Sequence, residues 1–135
     1  MPKISEVFGS AAAIAKVEPP KNIDGISMLP ALLGQKQTNQ HEFLYWEFHE
    51  KGSKQAVRMG DWKAVRLAPG KPLELYDLKN DLAETKDVAS EHSDVVARIE
   101  EYLKTARTES ERWPVRSAKQ EAEADAKRKP DPDVN

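Results

Sequence analysis

The side chains best able to do chemistry gather in one aromatic stretch, His41–Glu50, where Glu47, His49 and Glu50 stand beside Tyr45, Trp46 and Phe48. Carboxylates among aromatic rings suit a sugar-binding or glycosidase-like site. One strand, however, cannot set two carboxylates across a glycosidic bond without a partner from elsewhere. Catalysis carried by this stretch alone is therefore not expected, and Glu47 and His49 are candidates for the rim of a larger substrate cleft. The three histidines do not suggest a metal centre. His41 and His49 lie eight apart on one expected strand, about 26 Å at strand rise, too far to share an ion. His92 sits near an expected helix start, and all three fit surface or hydrogen-bonded roles.

Other chemistries lack their residues. There is no cysteine, hence no thiolate metal site, disulfide framework or cysteine nucleophile. Neither Gly9-Ser10-Ala11 nor Gly25-Ile26-Ser27 supplies the G-x-S-x-G turn that presents a serine nucleophile, and no glycine-rich phosphate loop occurs. Arg58, Lys63 and Arg66 with Trp62 form a basic–aromatic group. Charges on the solvent face of a hairpin explain it better than nucleic acid, since 21 basic residues are balanced by 23 acidic ones. The net charge of −2 draws the chain to neither nucleic acid nor an anionic membrane. No apolar run approaches the roughly 20 residues that span a bilayer. The small-residue stretch Gly9–Ala15 is too poor in Leu, Val and Phe for a signal peptide.

The elements that must position these residues follow from spacing. The 135 residues suit one domain, and the apolar ones concentrate before Trp113. Residues 3–17 place Ile4, Val7, Phe8, Ala11, Ile14 and Ala15 near helical spacing, interrupted by Gly9 and ended by Glu18-Pro19-Pro20. Ile26–Gly34 is expected as a short helix, with Ser27 as N-cap, Pro30 in the first turn and Gly34 as its stop. Strands are expected at His41–Glu50, Gln55–Met59, Trp62–Leu67 and Leu73–Leu78, the middle two joined by a Gly60-Asp61 turn. The first is apolar on both faces, which suits a covered strand. From Ser93 to Arg107, Val95, Ile99, Tyr102, Leu103 and Ala106 make an apolar stripe for a sheet face. Residues 117–129 have helix propensity but no apolar face, so a solvated, frayed helix or disorder is expected there.

The fold class is thus α+β: an antiparallel sheet of about four strands under a long helix, preceded by short helices and followed by a charged tail. The expected organisation is a leading helical segment over 1–34, an α+β domain over 35–113 and the tail over 114–135.

The wording of three segments carries more than their periodicity. Asp24-Gly25-Ile26-Ser27-Met28-Leu29-Pro30 with Leu32-Leu33-Gly34 resembles the D-G-x-S-L-x-P-x-L-x-G segment of the sulfatase family. Tyr45-Trp46-Glu47-Phe48 followed by Arg58-Met59-Gly60-Asp61-Trp62-Lys63 resembles its stretch ending in R-x-G-x-W-K. Leu75-Tyr76-Asp77-Leu78 with Asn80-Asp81 and Glu84 resembles its L-Y-D-L-x-x-D-P-x-E motif, with Leu82 in the place of the proline. Order and spacing match over roughly residues 18–110.

The resemblance implies the small carboxy-terminal domain of a sulfatase, which docks on the large amino-terminal α/β domain and helps shape the substrate cleft. The family's nucleophile, a formylglycine made from Cys or Ser in a C/S-x-P-x-R motif, has no counterpart here, and its calcium ligands belong to the amino-terminal domain. No catalytic or metal-binding residue is therefore carried onto this chain, which is expected to be inactive alone. Family members are often secreted, periplasmic or lysosomal. The implied partner is the α/β domain, with a homodimer expected of the isolated chain. A free-standing module binding protein or glycan through its aromatic strand is the alternative.

Overall fold

The computed structural model describes residues 4–21 and 23–127 and divides the chain into two compact units, 1–42 and 43–135. The loop Gln35–Gln40 falls with the first.

The first unit holds α1 (Ile4–Ala15) and the one-turn α2 (Leu29–Leu32). In α1 the buried residues are Glu6, Gly9, Ser10 and Ala12, whereas Val7, Phe8 and Ile14 are each more than 60% exposed. The apolar stripe seen in the sequence thus points outward within this unit. The reason is close backbone packing. A Cβ on Gly9 would lie 3.0 Å from the Ile26 carbonyl carbon and the Ser27 nitrogen. The Ser10 hydroxyl donates to the Glu6 carbonyl at 2.8 Å and accepts the Met28 N–H at 2.9 Å. Gly9, a weakness for helix propensity, is the residue that lets the incoming segment approach. Met28, not Ser27, occupies the N-cap position of α2, although Ser27 Oγ still accepts the Leu29 N–H at 3.2 Å.

The second unit is a meander of β1 (Leu44–Phe48), β2 (Lys54–Met59), β3 (Trp62–Arg66) and β4 (Glu74–Asp77), in that spatial order and antiparallel throughout. Gly60, at φ +59°, makes the β2–β3 turn, as the Gly60-Asp61 dipeptide suggested. Side chains alternate between faces. Tyr45, Val57, Ala64 and Leu75 are paired in register as one row across the four strands. Val57, Ala64 and Leu75 in this row are fully buried. Over them lies α3 (Ser93–Leu103), contributing Ile99 and Leu103, with Val95, Tyr102 and Ala106 packed at the margin. Phe43 stacks on Tyr102 at 4.1 Å between ring centroids. Burying a side chain such as Ile99 contributes about 2–3 kcal/mol, so this layer contact holds the unit together.

The opposite sheet face carries half-buried Leu44, Ala56 and Val65, with Trp46 42% and Phe48 52% exposed. The turn after β4 is pinned by side chains. Asp81 accepts the N–H groups of Thr85 and Lys86, and Asp87 accepts that of Leu75. Of the two forms expected for the tail, a solvated helix is present as α4 (Ala118–Lys127); residues 128–135 lie outside the described residues. Before α4 the chain is tied back to the turn after β1. Ser53 N–H donates to the Arg116 carbonyl at 2.7 Å, and Ser53 Oγ accepts the Arg116 N–H at 2.9 Å.

Candidate functional site

One register step from the apolar row, the helix-covered face turns polar. Glu47, Gln55 and Arg66 are paired across β1, β2 and β3. Arg66 Nη1 donates to Gln55 Oε1 at 3.2 Å, and Gln55 Nε2 donates to the Tyr45 hydroxyl at 2.9 Å. Arg66 Nη2 meets Glu100 of α3 at 2.5 Å. The Tyr45 hydroxyl donates to Glu47 Oε1. Just past α3, the chain delivers Arg107, whose Nε donates to Glu47 Oε1 at 2.6 Å. His49, two residues along β1's path, places Nε2 at 3.1 Å from Glu47 Oε2.

The charge state of Glu47 follows. Burial pushes its carboxyl up, but the bonds from Arg107, Tyr45 and His49 and the Arg107 charge outweigh that and hold it below the ordinary carboxylate range. Burial first, then the bond to Glu47, pushes the Tyr45 phenol up to about 12. Arg107 is held charged by Glu109 and Glu47. Glu47 is therefore favoured in its ionised form, with both oxygens engaged by Arg107, Tyr45 and His49.

His49 Nδ1 lies 3.1 Å from Ser53 Oγ. Glu47, His49 and Ser53 thus follow one another like an acid–base–hydroxyl relay. Ser53, however, is only 3% exposed, and its oxygen already accepts the Arg116 N–H. With that bond the relay organises the end of β1 and ties it to the segment before α4. The structure brings the two sequence candidates, Glu47 and His49, into contact, and only His49 lines an open cleft, with Ser53, Trp113 and Arg116. His41 lies 3.4 Å from Glu6, and the His92 ring lies 4.6 Å from that of Trp62. Sequence reasoning missed Arg107, Tyr45, Ser53 and Arg116 as partners. Arg107 meets Glu47 across 60 residues, and no local spacing signals such a pair.

Among the described residues no three His, Cys, Asp or Glu side chains come together as a cation site. Asp77 and Asp81, in the third of the matched segments, spend their oxygens on Lys79, Asn80, Thr85 and Lys86.

The residues of the three wording matches have structural work in this fold. Lys63 Nζ contacts both Glu84 oxygens, at 2.5 and 2.6 Å, joining the end of one matched segment to the end of the next. A four-stranded meander under one helix, bound by such contacts, defines a sulfatase-type carboxy-terminal domain. The chain belongs to the family described as N-sulphoglucosamine sulphohydrolase, C-terminal, whose model matches residues 7–109. It is 26% identical over 118 residues to an N-acetylgalactosamine-6-O-sulfatase of Bacteroides thetaiotaomicron, covering 76% of this chain and 23% of that protein. It is 31% identical over 83 residues to a Delta 4,5-hexuronate-2-O-sulfatase of the same organism, covering 58% of this chain and 17% of that one. The solved structure of Ps i-CgsB in complex with k-i-k-neocarrahexaose superposes with a TM-score of 0.67 at 25% identity, over 90% of this chain and 28% of the other. The chain thus spans less than a quarter of the length of the two curated relatives.

Proposed function

We propose that this chain is the carboxy-terminal part of a sulfuric ester hydrolase and works with an amino-terminal α/β domain, helping to shape that enzyme's substrate cleft. The observation that carries this is the state of the Glu47 cluster. Its carboxylate is engaged by Tyr45, His49 and Arg107, and its serine is held by Arg116, which supports a positioning role for this cluster. The nucleophile, as formylglycine, and the calcium site are assigned to the α/β domain. The open sheet face, with Leu44, Ala56, Val65 and exposed Phe48, is the surface proposed to seat that domain. Support comes from the much greater length of the curated relatives, both named as sulfatases. Docking there sets the Glu47–His49 end of β1 at the cleft rim. In the isolated chain the same face is proposed to pair with a second copy.

The test is twofold. The purified chain should show no turnover of an aryl sulfate, with or without calcium, and turnover in a preparation free of host sulfatase would refute the assignment. The genomic DNA upstream should encode, in frame, a C/S-x-P-x-R motif; an upstream stop codon with no such motif would overturn the partnership.

A further inference from the structure

The two outer edges of the sheet, β1 and β4, are finished differently. The direction of each backbone bond follows from the β2–β3 hairpin. Met59 and Trp62 flank its turn as partners in register, and the closing pair of such a hairpin exchanges both N–H···O bonds. Alternation along β2 then turns Val57 and Gln55 towards β3, and Ala56 and Arg58 towards β1. Their partners on β1, Trp46 and Leu44, face inward, so Tyr45 and Glu47 aim their N–H and C=O groups out of the sheet. By the same parity Leu75 faces outward on β4. There the chain covers its own edge. Leu75 N–H donates to Asp87 at 3.0 Å, and its carbonyl accepts the Val88 N–H at 2.8 Å.

β1 has no such cover. The outward N–H and C=O groups of Tyr45 and Glu47 make no hydrogen bond among the described residues. Bare edges are ordinarily blunted by lysine, proline or a bulge. The strand Leu44-Tyr45-Trp46-Glu47-Phe48 has none of these, and its carboxylate is already paired with Arg107. Trp46 and Phe48 beside the edge are 42% and 52% exposed.

A second copy of the same strand fits this edge. Antiparallel pairing about a two-fold axis must set outward residues against outward residues. Glu47 opposite Glu47 would bring two carboxylates face to face, which is unfavourable. Tyr45 opposite Tyr45 would shift Phe48 onto Glu42. Tyr45 opposite Glu47 pairs the whole strand, with Trp46 opposite Trp46 and Leu44 opposite Phe48 on the open face, the aromatic and apolar pairs that stabilise sheets.

We propose that β1 pairs edge to edge with β1 of a second copy of this chain, antiparallel and centred on Trp46, so that one sheet runs through both copies. The proposal rests on the self-pairing read above and places its seam along the strand edge, with Trp46 and Phe48 of the open face beside it.

Sedimentation of the 135-residue chain fixes one concentration at which it is monomeric and one at which it is dimeric, and amide exchange is followed at both by NMR. Dimerisation should slow the Tyr45 and Glu47 amides about tenfold or more, the scale of one added hydrogen bond, while the Trp46 amide, already bonded to β2, changes little. Trp46→Lys and Trp46→Glu should each weaken pairing about fivefold or more, the scale of one cross-strand pair, with far-UV spectra unchanged. Mixed in equal amounts, the two variants should pair again, because position 46 meets itself across the axis. A wild-type dimer whose Tyr45 and Glu47 amides exchange as fast as in the monomer would overturn the edge contact and leave pairing through the open face standing. A mixture that pairs no better than either variant alone would do the same. A chain monomeric at every concentration would overturn both forms of pairing. The upstream C/S-x-P-x-R motif tests the domain assignment independently of all three outcomes.

Discussion

The Arg107 guanidinium closes on the Glu47 carboxylate across 60 residues of chain, with the two side chains only 11% and 15% exposed. The pair ties the end of α3 to β1. Deleting one partner strands the other in a site already short of water. Arg107→Leu should therefore cost about 3 kcal/mol, near the value for breaking an enclosed pair. Glu47→Gln, which keeps an acceptor for Tyr45, should cost less. Urea midpoints at constant slope measure both. An Arg107→Leu variant within about 0.5 kcal/mol of wild type would show that the ion pair does not hold these elements together.

The same cluster sets how stability depends on pH. Glu47, Asp77 and Asp81 are depressed below their ordinary values, Asp77 chiefly by its bond from Asn80 and Asp81 chiefly by the Lys86 N–H. A depressed carboxylate stabilises the fold above its unfolded value, about 4, and that contribution is lost as pH falls through the folded value. The acid limb should thus begin below about pH 4, and Glu47→Gln should make it shallower.

At the alkaline end the sign reverses. Tyr45, by burial and then its bond to Glu47, and Tyr76, by its bond to Glu74 and then burial, are each raised to about 12. Raised phenols stabilise fully below their unfolded value, about 10, and lose that contribution as pH climbs through the folded one. A falling limb between about pH 10 and 12 is expected, reduced in slope by Tyr45→Phe. Unfolding free energies measured from pH 2 to 12 check both limbs; equal slopes in wild type and Tyr45→Phe would remove Tyr45 from the account.

What was legible in the sequence was periodic or local. The Val95–Ile99–Tyr102–Leu103 stripe placed α3, and Gly60-Asp61 placed the β2–β3 turn. Glu47 and His49 stood out because carboxylate, imidazole and rings share one short stretch. Their partners did not, because Arg107 and Arg116 come from far along the chain and carry no signal until the sheet and helix are assembled. The α1 face was misjudged for a related reason. Helical spacing shows where an apolar stripe lies, but not that Gly9 and Ser10 admit a backbone on the other side.

Gly52 controls how α4 sits. Its φ is +95°, and a Cβ there would lie 2.8 Å from the Ala118 nitrogen. Its N–H also meets the Glu121 carboxylate. In wild type, hydrogen exchange should show α4 amides measurably slowed, though less than those of Val95–Leu103. Gly52→Ala should abolish the slowing in α4 and leave α3 unchanged, since the strain is relieved by releasing the helix. Equal protection of α4 in both proteins would mean that it is anchored elsewhere.

The last expectation concerns the surfaces that the proposed partner would cover. Trp46 and Phe48 are 42% and 52% exposed on the open sheet face, and Val7, Phe8 and Ile14 exceed 60% on α1. Apolar patches of this kind are seldom left bare on a monomer. Phe43 is not among them, because it stacks on Tyr102 and packs against the core. The isolated chain should therefore self-associate, with a two-fold dimer as the favoured form. Sedimentation velocity over a wide concentration range should show a shift from monomer to dimer. Phe48→Ser should move that shift to higher concentration without lowering the unfolding midpoint, since Phe48 leaves the core untouched. Phe43→Ser should do the reverse, lowering the midpoint by breaking the contact with α3. A chain that stays monomeric at the highest concentration, with Phe48→Ser indistinguishable from wild type, would remove the open face as a docking surface.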